Sequence, residues 1–214
     1  MSGLASIAVS RAHRVRAGQF VNERVAKTRI VLHHTADGSP AGSVSWWNRD
    51  PDRVATPYII DRDGTIYETF DPHCWAYHTG TGTAVDRPAV GIELTCWGWL
   101  KRVGGKYFND RGGEVPASEV VQADWRGERY WHRYTDAQVE AVMRLVPALC
   151  DEFGIDRDVA PAVWDTRHAD YARFKRFEGV ITHAHVRADK TDFHPVFPWE
   201  RLTAVVERRA PALR

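Results

Sequence analysis

The segment from Val180 to Pro195 places three histidines, one lysine and two aspartates behind a short apolar run. His183 and Asp192 are nine positions apart, far enough for the loop between them to fold both side chains onto one ion. Zinc binds imidazole nitrogen and carboxylate oxygen, and a catalytic zinc site uses three protein ligands with a fourth position left for water. The segment therefore predicts part of a catalytic metal site.

A second histidine cluster lies in residues 29–36, where His33 and His34 directly follow the apolar run Ile-Val-Leu. Such a run is typical of a buried strand that delivers its last residues to the edge of a sheet. Because successive strand residues point to opposite faces, only one of these two histidines is expected to face the site. His185 and His194 are competing candidates in the first segment.

Five motifs in the same order along the chain resemble the zinc-dependent N-acetylmuramoyl-L-alanine amidases. This family includes phage endolysins, cytoplasmic muropeptide-recycling amidases and peptidoglycan recognition proteins. The similarity covers residues 28–96 and 134–203, and an ordered set of motifs is more specific than a single one. The motifs are IVLHHTA with His33, PYIIDRDGTIYETF (Pro57 to Phe70), YHTG (Tyr77 to Gly80), VGIEL with Glu93, and VITHAHV with His183 together with the KTD of Lys190 to Asp192.

The resemblance implies a Zn²⁺ ion bound by His33, His183 and Asp192. Zinc would polarise the scissile carbonyl and lower the pKa of water from 15.7 to about 7. Glu93 matches the catalytic glutamate of the family, which takes a proton from the attacking water and supplies one to the leaving amine. Lys190 matches the lysine that stabilises the oxyanion of the tetrahedral intermediate.

Five further residues are predicted to contact substrate, namely His34, Tyr58, Tyr77, His78 and His194. His78 matches a substrate-side histidine of the family, and Tyr77 stands where relatives carry tryptophan. His194 stands where relatives usually carry glycine, so it is a substrate contact, a replacement ligand or a solvent-facing imidazole. Thr56 replaces a tyrosine that assists some relatives, which gives Glu93 more weight in the mechanism.

These residues need a sheet to position them. Short apolar runs predict strands, an Arg-Asp-Gly turn predicts a hairpin, and a capping box at Thr135 predicts a helix that ends near Gly154. The predicted class is α/β, with a mixed central β-sheet flanked by helices. Predicted strands lie at residues 29–33, 58–61, 65–68, 89–94 and 179–182, and predicted short helices at 43–48 and 199–208.

Residues 97–133 depart from the usual core of the family and are rich in aromatic side chains. These aromatics either pack an excursion onto the domain or form a wall for a glycan or peptide, because aromatic faces bind flat ligands well. The length of the chain suits one domain. We expect a basic extension at residues 1–27, partly helical, and a catalytic domain at residues 28–210 that contains the insertion.

Composition excludes several classes of protein. The 214 residues are 43% hydrophobic and 27% charged, with a formal net charge of +1. No global field therefore attracts nucleic acid or an anionic membrane, and no apolar run is long enough to span a bilayer. The three scattered cysteines predict buried, reduced thiols rather than a disulfide framework. We expect a monomer.

The prediction is a zinc amidase that cleaves the bond between N-acetylmuramic acid and the L-alanine of the stem peptide. The arginines of the first segment follow its short apolar stretch, which is the reverse of a secretory signal. We therefore expect synthesis in the cytoplasm, with delivery to the cell wall by a phage or secretion apparatus. The alternatives are a cytosolic enzyme that recycles soluble muropeptides, a non-catalytic peptidoglycan-binding module, and a metal-stabilised structural protein.

Overall fold

The structure, a computed structural model, describes residues 3–164 and 170–208 of the chain. Two short 3-10 turns lie at Leu4–Ser6 and Ala117–Glu119. The strands and α-helices are β1 (Arg29–His34), α1 (Pro40–Trp47), β2 (Tyr58–Ile60), β3 (Ile66–Glu68), α2 (Thr83–Asp86), β4 (Ala89–Leu94), β5 (Trp99–Val103), β6 (Lys106–Phe108), β7 (Glu114–Val115), β8 (Val120–Trp125), β9 (Glu128–His132), α3 (Asp136–Phe153), α4 (Tyr171–Phe174), β10 (Gly179–Thr182), α5 (His183–Val186) and α6 (Trp199–Glu207).

The central sheet is mixed and has the strand order β10-β1-β4-β2-β3. Strand β1 runs parallel to β10 and β4, and β2 runs parallel to β4, whereas β3 closes the edge antiparallel to β2. The carboxyl ends of parallel strands meet at one edge of a sheet, which is where ligands bind in open α/β folds. The histidines of both sequence clusters lie at this edge.

Side chains of the central sheet alternate between two apolar layers. Ile30 and Leu32 of β1 pack with α3 in the largest hydrophobic cluster. Val31, between them, packs with Ile181 of β10 on the opposite face. Because residues two apart in a strand share a face, His33 lies on the face of Val31, away from α3.

Helix α3 is fixed to the central sheet by its first turn. The Thr135 hydroxyl accepts a hydrogen bond from the Gln138 backbone N–H, and Gln138 Oε1 accepts one from the Thr135 N–H, each at 3.1 Å. This is the predicted capping box. The Gln138 amide also donates to the carbonyl of Ile60, the last residue of β2, and to that of Thr95, which directly follows β4.

The aromatic insertion forms a second sheet, which is antiparallel and has the order β7-β6-β5-β9-β8. Trp99 and Leu100 of β5 pair with Trp131 and Tyr130 of β9. Leu100 and Trp131 are fully buried, so part of this sheet packs on the rest of the domain. The sequence analysis identified the insertion but predicted none of its strands.

The N-terminal segment lies against the central sheet. Ser10 forms a parallel bridge with Tyr67 of β3, which extends the sheet at its edge. Arg11 and Arg14 both form ion pairs with Glu68, at 2.8 and 3.0 Å. Such half-exposed pairs stabilise a fold by about 1 kcal/mol or less, so the backbone bridge and apolar packing contribute more.

Most predicted elements are confirmed, with two differences. The helix predicted at residues 43–48 begins earlier, at Pro40, because Ser39 caps it and proline suits the first helical turn. The described part of residues 1–27 contains one 3-10 turn and no longer helix. The predicted domain limit at residue 210 lies outside the described residues.

Two further expectations concern the described residues. Cys74, Cys96 and Cys150 are buried and free, as predicted. Among the described helices, none is both long enough and apolar enough to cross a membrane.

Candidate active site

Three adjacent parallel strands place the candidate site at the edge of the central sheet. His33 of β1 pairs with Glu93 of β4, and residues that pair across strands project from the same face. Leu32 pairs with Thr182 of β10, so His183, the next residue after Thr182, lies beside His33. The carboxyl ends of β10, β1 and β4 therefore place His183, His33 and Glu93 side by side.

Asp192 completes a triangle with the two histidines. His33 Nδ1, His183 Nδ1 and Asp192 Oδ2 lie 3.1 Å from one another in all three pairs. A tetrahedral zinc ion with bonds of about 2.0–2.1 Å spaces its ligand atoms about 3.3 Å apart. All three side chains are buried. The three residues predicted as ligands thus converge at a spacing that fits zinc.

The outer ring nitrogens of both histidines have partners. His183 Nε2 lies 2.9 Å from the Thr79 carbonyl oxygen. Because a carbonyl only accepts, His183 carries its proton on Nε2 and its Nδ1 lone pair is free. His33 Nε2 lies 2.9 Å from His78 Nδ1 and donates to it when His33 Nδ1 is the metal ligand. Such partners of the outer nitrogen fix the tautomer that metal binding requires.

One buried carboxylate, Asp86, lies next to both Thr79 and His78, the partners of the outer ring nitrogens. Its Oδ1 accepts hydrogen bonds from the Thr79 backbone N–H at 3.0 Å and from the Thr79 hydroxyl at 2.6 Å. The same oxygen lies 3.8 Å from His78 Nε2. Asp86 is completely buried. It therefore connects, through Thr79 and His78, to the outer nitrogens of both candidate ligands.

The charge states of the triangle suit a divalent cation. Burial lowers the pKa of His33 to about 3 and the pKa of His78 to about 4, so both rings are neutral at neutral pH. Burial opposes ionisation of Asp192, but the adjacent His183 and His33 lower the pKa of its carboxyl well below the ordinary value. Two imidazole nitrogens and one carboxylate oxygen are an established donor set for zinc.

Glu93 has the properties of a proton-transfer group. Its Oε2 is buried and has no hydrogen-bond partner among the described residues. Burial raises the pKa of the Glu93 carboxyl well above its ordinary value, the nearby Asp192 raises it further, and Lys190 opposes the shift. A carboxyl with a raised pKa accepts and returns a proton near neutral pH.

A cavity of about 510 Å³ connects these groups. His33, His183 and Asp192 line it together with Glu93 and Lys190. A cavity of this size is within the range of small-molecule sites. The structure thus brings all five predicted metal and catalytic residues into one cavity.

His34 and His78 also line this cavity. His34 Nδ1 lies 3.0 Å from the Tyr134 hydroxyl, on the face of the sheet opposite to His33. Its ring nevertheless reaches the cavity wall because β1 ends there. The substrate contacts predicted for His34 and His78 stay predictions, and the geometry shows that His78 also pairs with His33.

The structure places His194 outside the described lining of the cavity, and its predicted substrate contact stays a prediction. His194 is completely buried. Its ring stacks on Tyr134 at 4.3 Å and on Trp131 at 5.1 Å, and its Nε2 donates to the His132 carbonyl at 3.0 Å. The inserted sheet supplies Trp131, which covers the ring. His194 is therefore neither a ligand nor a solvent-facing imidazole.

Tyr58, also predicted to contact substrate, is 1% exposed and lies in the core beneath α3, outside the described lining of the cavity. Tyr77 packs edge-on against Trp75 at 5.3 Å and is absent from the described lining of the cavity. His185, a competing ligand, uses both ring nitrogens elsewhere. Its Nδ1 accepts from the Thr182 N–H and its Nε2 donates to the Pro161 carbonyl.

The aromatic residues of the insertion occupy two kinds of position. Trp131 is buried and packs the second sheet onto the domain. Trp97 and Trp99 instead line the cavity, as does Trp46 of α1, which is 50% exposed. The Arg111 guanidinium lies over the Trp97 ring, 5.6 Å from its centre. One wall of the cavity is thus aromatic and carries a cation.

Sequence reasoning missed three residues of the site: Asp86, Thr79 and Trp46. Thr79 acts through its backbone carbonyl, which any residue could supply. Asp86 lies on the four-residue helix α2, and no local pattern separates it from other carboxylates. Trp46 lies on α1 within the predicted helix, and only the fold places it across from the insertion.

Solved structures with similar folds are amidases and endolysins. AmiD from E. coli, in complex with the substrate anhydro-N-acetylmuramic acid-L-Ala-D-gamma-Glu-L-Lys, aligns with a TM-score of 0.52 at 20% identity. That alignment covers 89% of this chain, which spans only 60% of AmiD. PlyL aligns with a TM-score of 0.51 at 13% identity, covering 86% of each chain. These similarities show a shared fold.

The sequence comparisons identify the family. No curated protein sequence matches this chain significantly. Residues 23–195 match the family described as N-acetylmuramoyl-L-alanine amidase (Amidase_2), a match over well more than half of the chain. This range includes every strand end described above and the whole inserted sheet. The chain belongs to the N-acetylmuramoyl-L-alanine amidase family.

Proposed function

We propose that this protein is a zinc-dependent amidase that hydrolyses the bond between N-acetylmuramic acid and L-alanine in the stem peptide of peptidoglycan. The observation that carries the proposal is the triangle of His33, His183 and Asp192 in one cavity with Glu93 and Lys190. Family membership and the amidase neighbours support the same substrate class. The AmiD complex contains a muropeptide.

The triangle would hold zinc through two imidazole nitrogens and one carboxylate oxygen. When bound, zinc supplies Lewis acidity, which polarises the scissile carbonyl and makes water more acidic. Thr79 orients His183, and His78 orients His33. These partners make binding of the cation independent of any rearrangement of the rings.

Glu93 handles the protons in this proposal. Its unpartnered Oε2 takes a proton from the attacking water, which raises the nucleophilicity of the water oxygen. The same carboxyl then donates a proton to the leaving nitrogen of L-alanine, so that an amine rather than an amide anion departs. The raised pKa of Glu93 suits both transfers.

Lys190 supplies a positive charge where negative charge develops. Its side chain lines the cavity and has no side-chain partner among the described residues, so its Nζ is available to the oxyanion. Loss of one such donor in other hydrolases costs about 10²–10³ in rate. Lys190→Ala is expected to lower kcat more than it raises KM, because the contact forms mainly in the transition state.

We also propose that the natural substrate is intact or long-chain peptidoglycan. Trp46, Trp97 and Trp99 extend the cavity with aromatic surface beyond the reacting groups. Binding energy from remote parts of a substrate can be used at the reacting centre. An enzyme for the polymer would act on the cell wall, after delivery by a phage or secretion apparatus. Recycling of soluble muropeptides in the cytosol is the alternative.

The chemistry is tested by measuring zinc content together with the release of L-alanine amino termini from purified sacculi. We expect one zinc per chain, loss of activity on chelation and recovery on zinc addition. Asp192→Ala should remove zinc and activity together. As matched control, His194→Ala changes a buried imidazole outside the triangle and should retain zinc. If His194→Ala loses zinc and Asp192→Ala keeps it, the third ligand is assigned incorrectly.

The substrate pool is tested separately, with sacculi and soluble anhydro-muropeptide compared at equal concentrations of scissile bond. We expect faster hydrolysis of sacculi. Much faster hydrolysis of the soluble fragment would contradict the wall-lytic proposal and favour recycling. Binding of sacculi without turnover by the zinc-loaded protein would favour the non-catalytic module.

A further inference from the structure

Arg126 lies at the tip of the hairpin between β8 and β9 of the inserted sheet, where its φ is +50°. Its guanidinium lies against the Trp125 ring, 4.7 Å from the ring centre. From there the side chain crosses to the central domain and contacts residues 184–190. The contact joins the inserted sheet to the segment that carries two candidate ligands.

The guanidinium donates to four backbone carbonyls of this segment. Nη1 donates to the carbonyl of Arg187 at 3.2 Å, to that of Ala188 at 2.9 Å, and at short range to that of Lys190. Nη2 donates to the Ala184 carbonyl at 3.1 Å. Only guanidinium offers five N–H donors in one rigid plane. No ammonium group can replace this set of contacts.

The segment from His183 to Asp192 forms a closed loop. The Ala184 N–H donates to the Asp192 carbonyl at 2.9 Å, which joins its two ends. The interior of the loop contains Lys190. The backbone carbonyls of residues 187, 188 and 190 all accept hydrogen bonds from Arg126. Without the guanidinium the carbonyls of residues 187, 188 and 190 would lose their common partner.

We propose that Arg126 is a positioning residue for the metal-ligand loop. Through this one side chain the inserted sheet fixes the backbone between His183 and Asp192, and with it the location of the Lys190 side chain. Among the described residues, Arg126 does not line the cavity and is not one of the candidate ligands. The insertion is therefore a structural part of the active site as well as a wall of the cavity.

The inference rests on the metal site of the proposed function, but its main readouts need no turnover. Three variants test it. Arg126→Met keeps an unbranched stem against Trp125 and removes the guanidinium. Arg126→Lys keeps the positive charge but supplies one small ammonium group. Arg129→Met is the matched control, because Arg129 lies on the same hairpin, is 63% exposed and pairs only with Asp124 at 4.0 Å among the described residues.

Hydrogen exchange of the backbone amides is measured first, in the segment 184–192 and in β5 and β9. In Arg126→Met and Arg126→Lys, we expect amides of the segment to exchange at least about tenfold faster, with β5 and β9 still protected. Arg129→Met should match the parent protein. Unchanged exchange of the segment in both Arg126 variants would overturn the proposal.

Zinc affinity, measured by competition with a chromogenic chelator, is the second readout. Loss of groups that orient metal ligands typically weakens binding about 10–100-fold, so we expect about tenfold weaker zinc binding in the Arg126 variants. If Arg126→Met also speeds amide exchange in β5 and β9, the inserted sheet itself is destabilised in that variant. The result for Arg126→Lys then decides whether Arg126 positions the loop. An intact inserted sheet with normal zinc affinity in Arg126→Lys would contradict the positioning role.

A failure of the amidase proposal would look different. In that case sacculi would not be cleaved even by the parent protein, while the exchange and affinity differences would persist. Where the parent protein is active, Arg126→Lys should lower kcat more than it raises KM, because a displaced Lys190 weakens a contact made in the transition state.

Discussion

Glu93 shows how a strand determines the environment of one proposed catalytic group. Its neighbours in β4, Ile92 and Leu94, are fully buried, and its carboxyl stands next to His33 because the two residues pair across strands. A carboxyl in such surroundings is costly to ionise unless a partner compensates for the lost water. Its high pKa therefore follows from its place in the sheet.

Glu93→Gln is expected to retain fold and zinc content but to lose most of its turnover. The amide has nearly the shape of the carboxyl, but it cannot accept and return a proton at neutral pH. General acid–base catalysis typically contributes about 10²–10⁴-fold, and we expect a loss within this range. Zinc content and kcat on sacculi are the measurements. A near-normal kcat in Glu93→Gln would rule out this role.

Asp86 is a second buried carboxyl residue for which the structure suggests a role in the site. Asp86→Asn keeps an oxygen for Thr79 and removes the negative charge that faces His78 Nε2. We expect about tenfold weaker zinc binding, because partners of the outer nitrogens support the basicity and orientation of the ligands. Chelator competition measures the effect. Asp71→Asn is the control, since Asp71 is half-exposed and pairs with Arg24; equal zinc affinity in the two variants would contradict the prediction.

The sequence allowed prediction of those site residues whose location follows from the strand that carries them. His33 and His183 each end or follow an apolar strand, and their motifs fix which histidine of each pair is used. Tyr58 and His194 could not be placed, because exposure depends on what packs over a residue. The cover of His194 comes from Trp131, which is sixty-three positions away in the chain.

At the level of elements, the central sheet was predictable and the inserted sheet was not. The strands of the central sheet are continuous apolar runs, because helices and loops cover both faces. Strand β8 has a different pattern, in which half-buried residues alternate with exposed ones. The strands β6 and β7 are only three and two residues long. Such short polar segments carry too few residues for a pattern to be distinguished from a loop.

Trp99 of the inserted sheet is expected to contribute to hydrolysis of long substrates more than of short ones. Trp99 lines the cavity, and the Lys101 ammonium lies 5.5 Å from the centre of its ring. Trp99→Ala is expected to lower kcat/KM on sacculi about tenfold, since loss of one aromatic contact removes about 1–1.5 kcal/mol. The effect on soluble anhydro-muropeptide should be much smaller, because a short ligand does not extend along this wall.

Tyr107→Ala is the matched control for Trp99→Ala. Tyr107 lies on the neighbouring strand β6, packs against Tyr130 at 5.2 Å and does not line the cavity within the described part of the chain. Tyr107→Ala should leave kcat/KM unchanged on both sacculi and soluble anhydro-muropeptide. Equal losses on sacculi and on the fragment in Trp99→Ala would indicate that the wall contacts the portion common to both substrates.

At the level of the whole molecule, the chain buries several imidazole rings, both in the site and outside it. His132 is 2% exposed and His185 is completely buried. Burial lowers the pKa of each to about 4, from an ordinary value of 6.5. His132 bonds to Glu119 and accepts from the Trp97 N–H, so as a neutral ring it ties together separate parts of the insertion.

These rings make stability depend on pH in a definite direction. Because the folded-state pKa lies below the unfolded value, the unfolded chain binds more protons between about pH 6.5 and pH 4. The free energy of unfolding of the zinc-free protein should therefore be undiminished by these rings above about pH 6.5 and should fall as the pH drops through this window. Each pKa unit of difference corresponds to about 1.4 kcal/mol per histidine at the lower end of the window.

The midpoint of urea denaturation, followed at several pH values with the metal removed, measures this dependence. His132→Gln should flatten the curve, because glutamine has no proton to gain, whereas His13→Gln removes a partly exposed imidazole near the N-terminus and serves as control. A midpoint that stays constant down to about pH 5 in the parent protein would show that the buried rings are protonated without cost. Since both ring partners of His132 lie in the insertion, the inserted sheet should lose protection from exchange first as the pH falls, and with it the support that Arg126 gives to the metal-ligand loop.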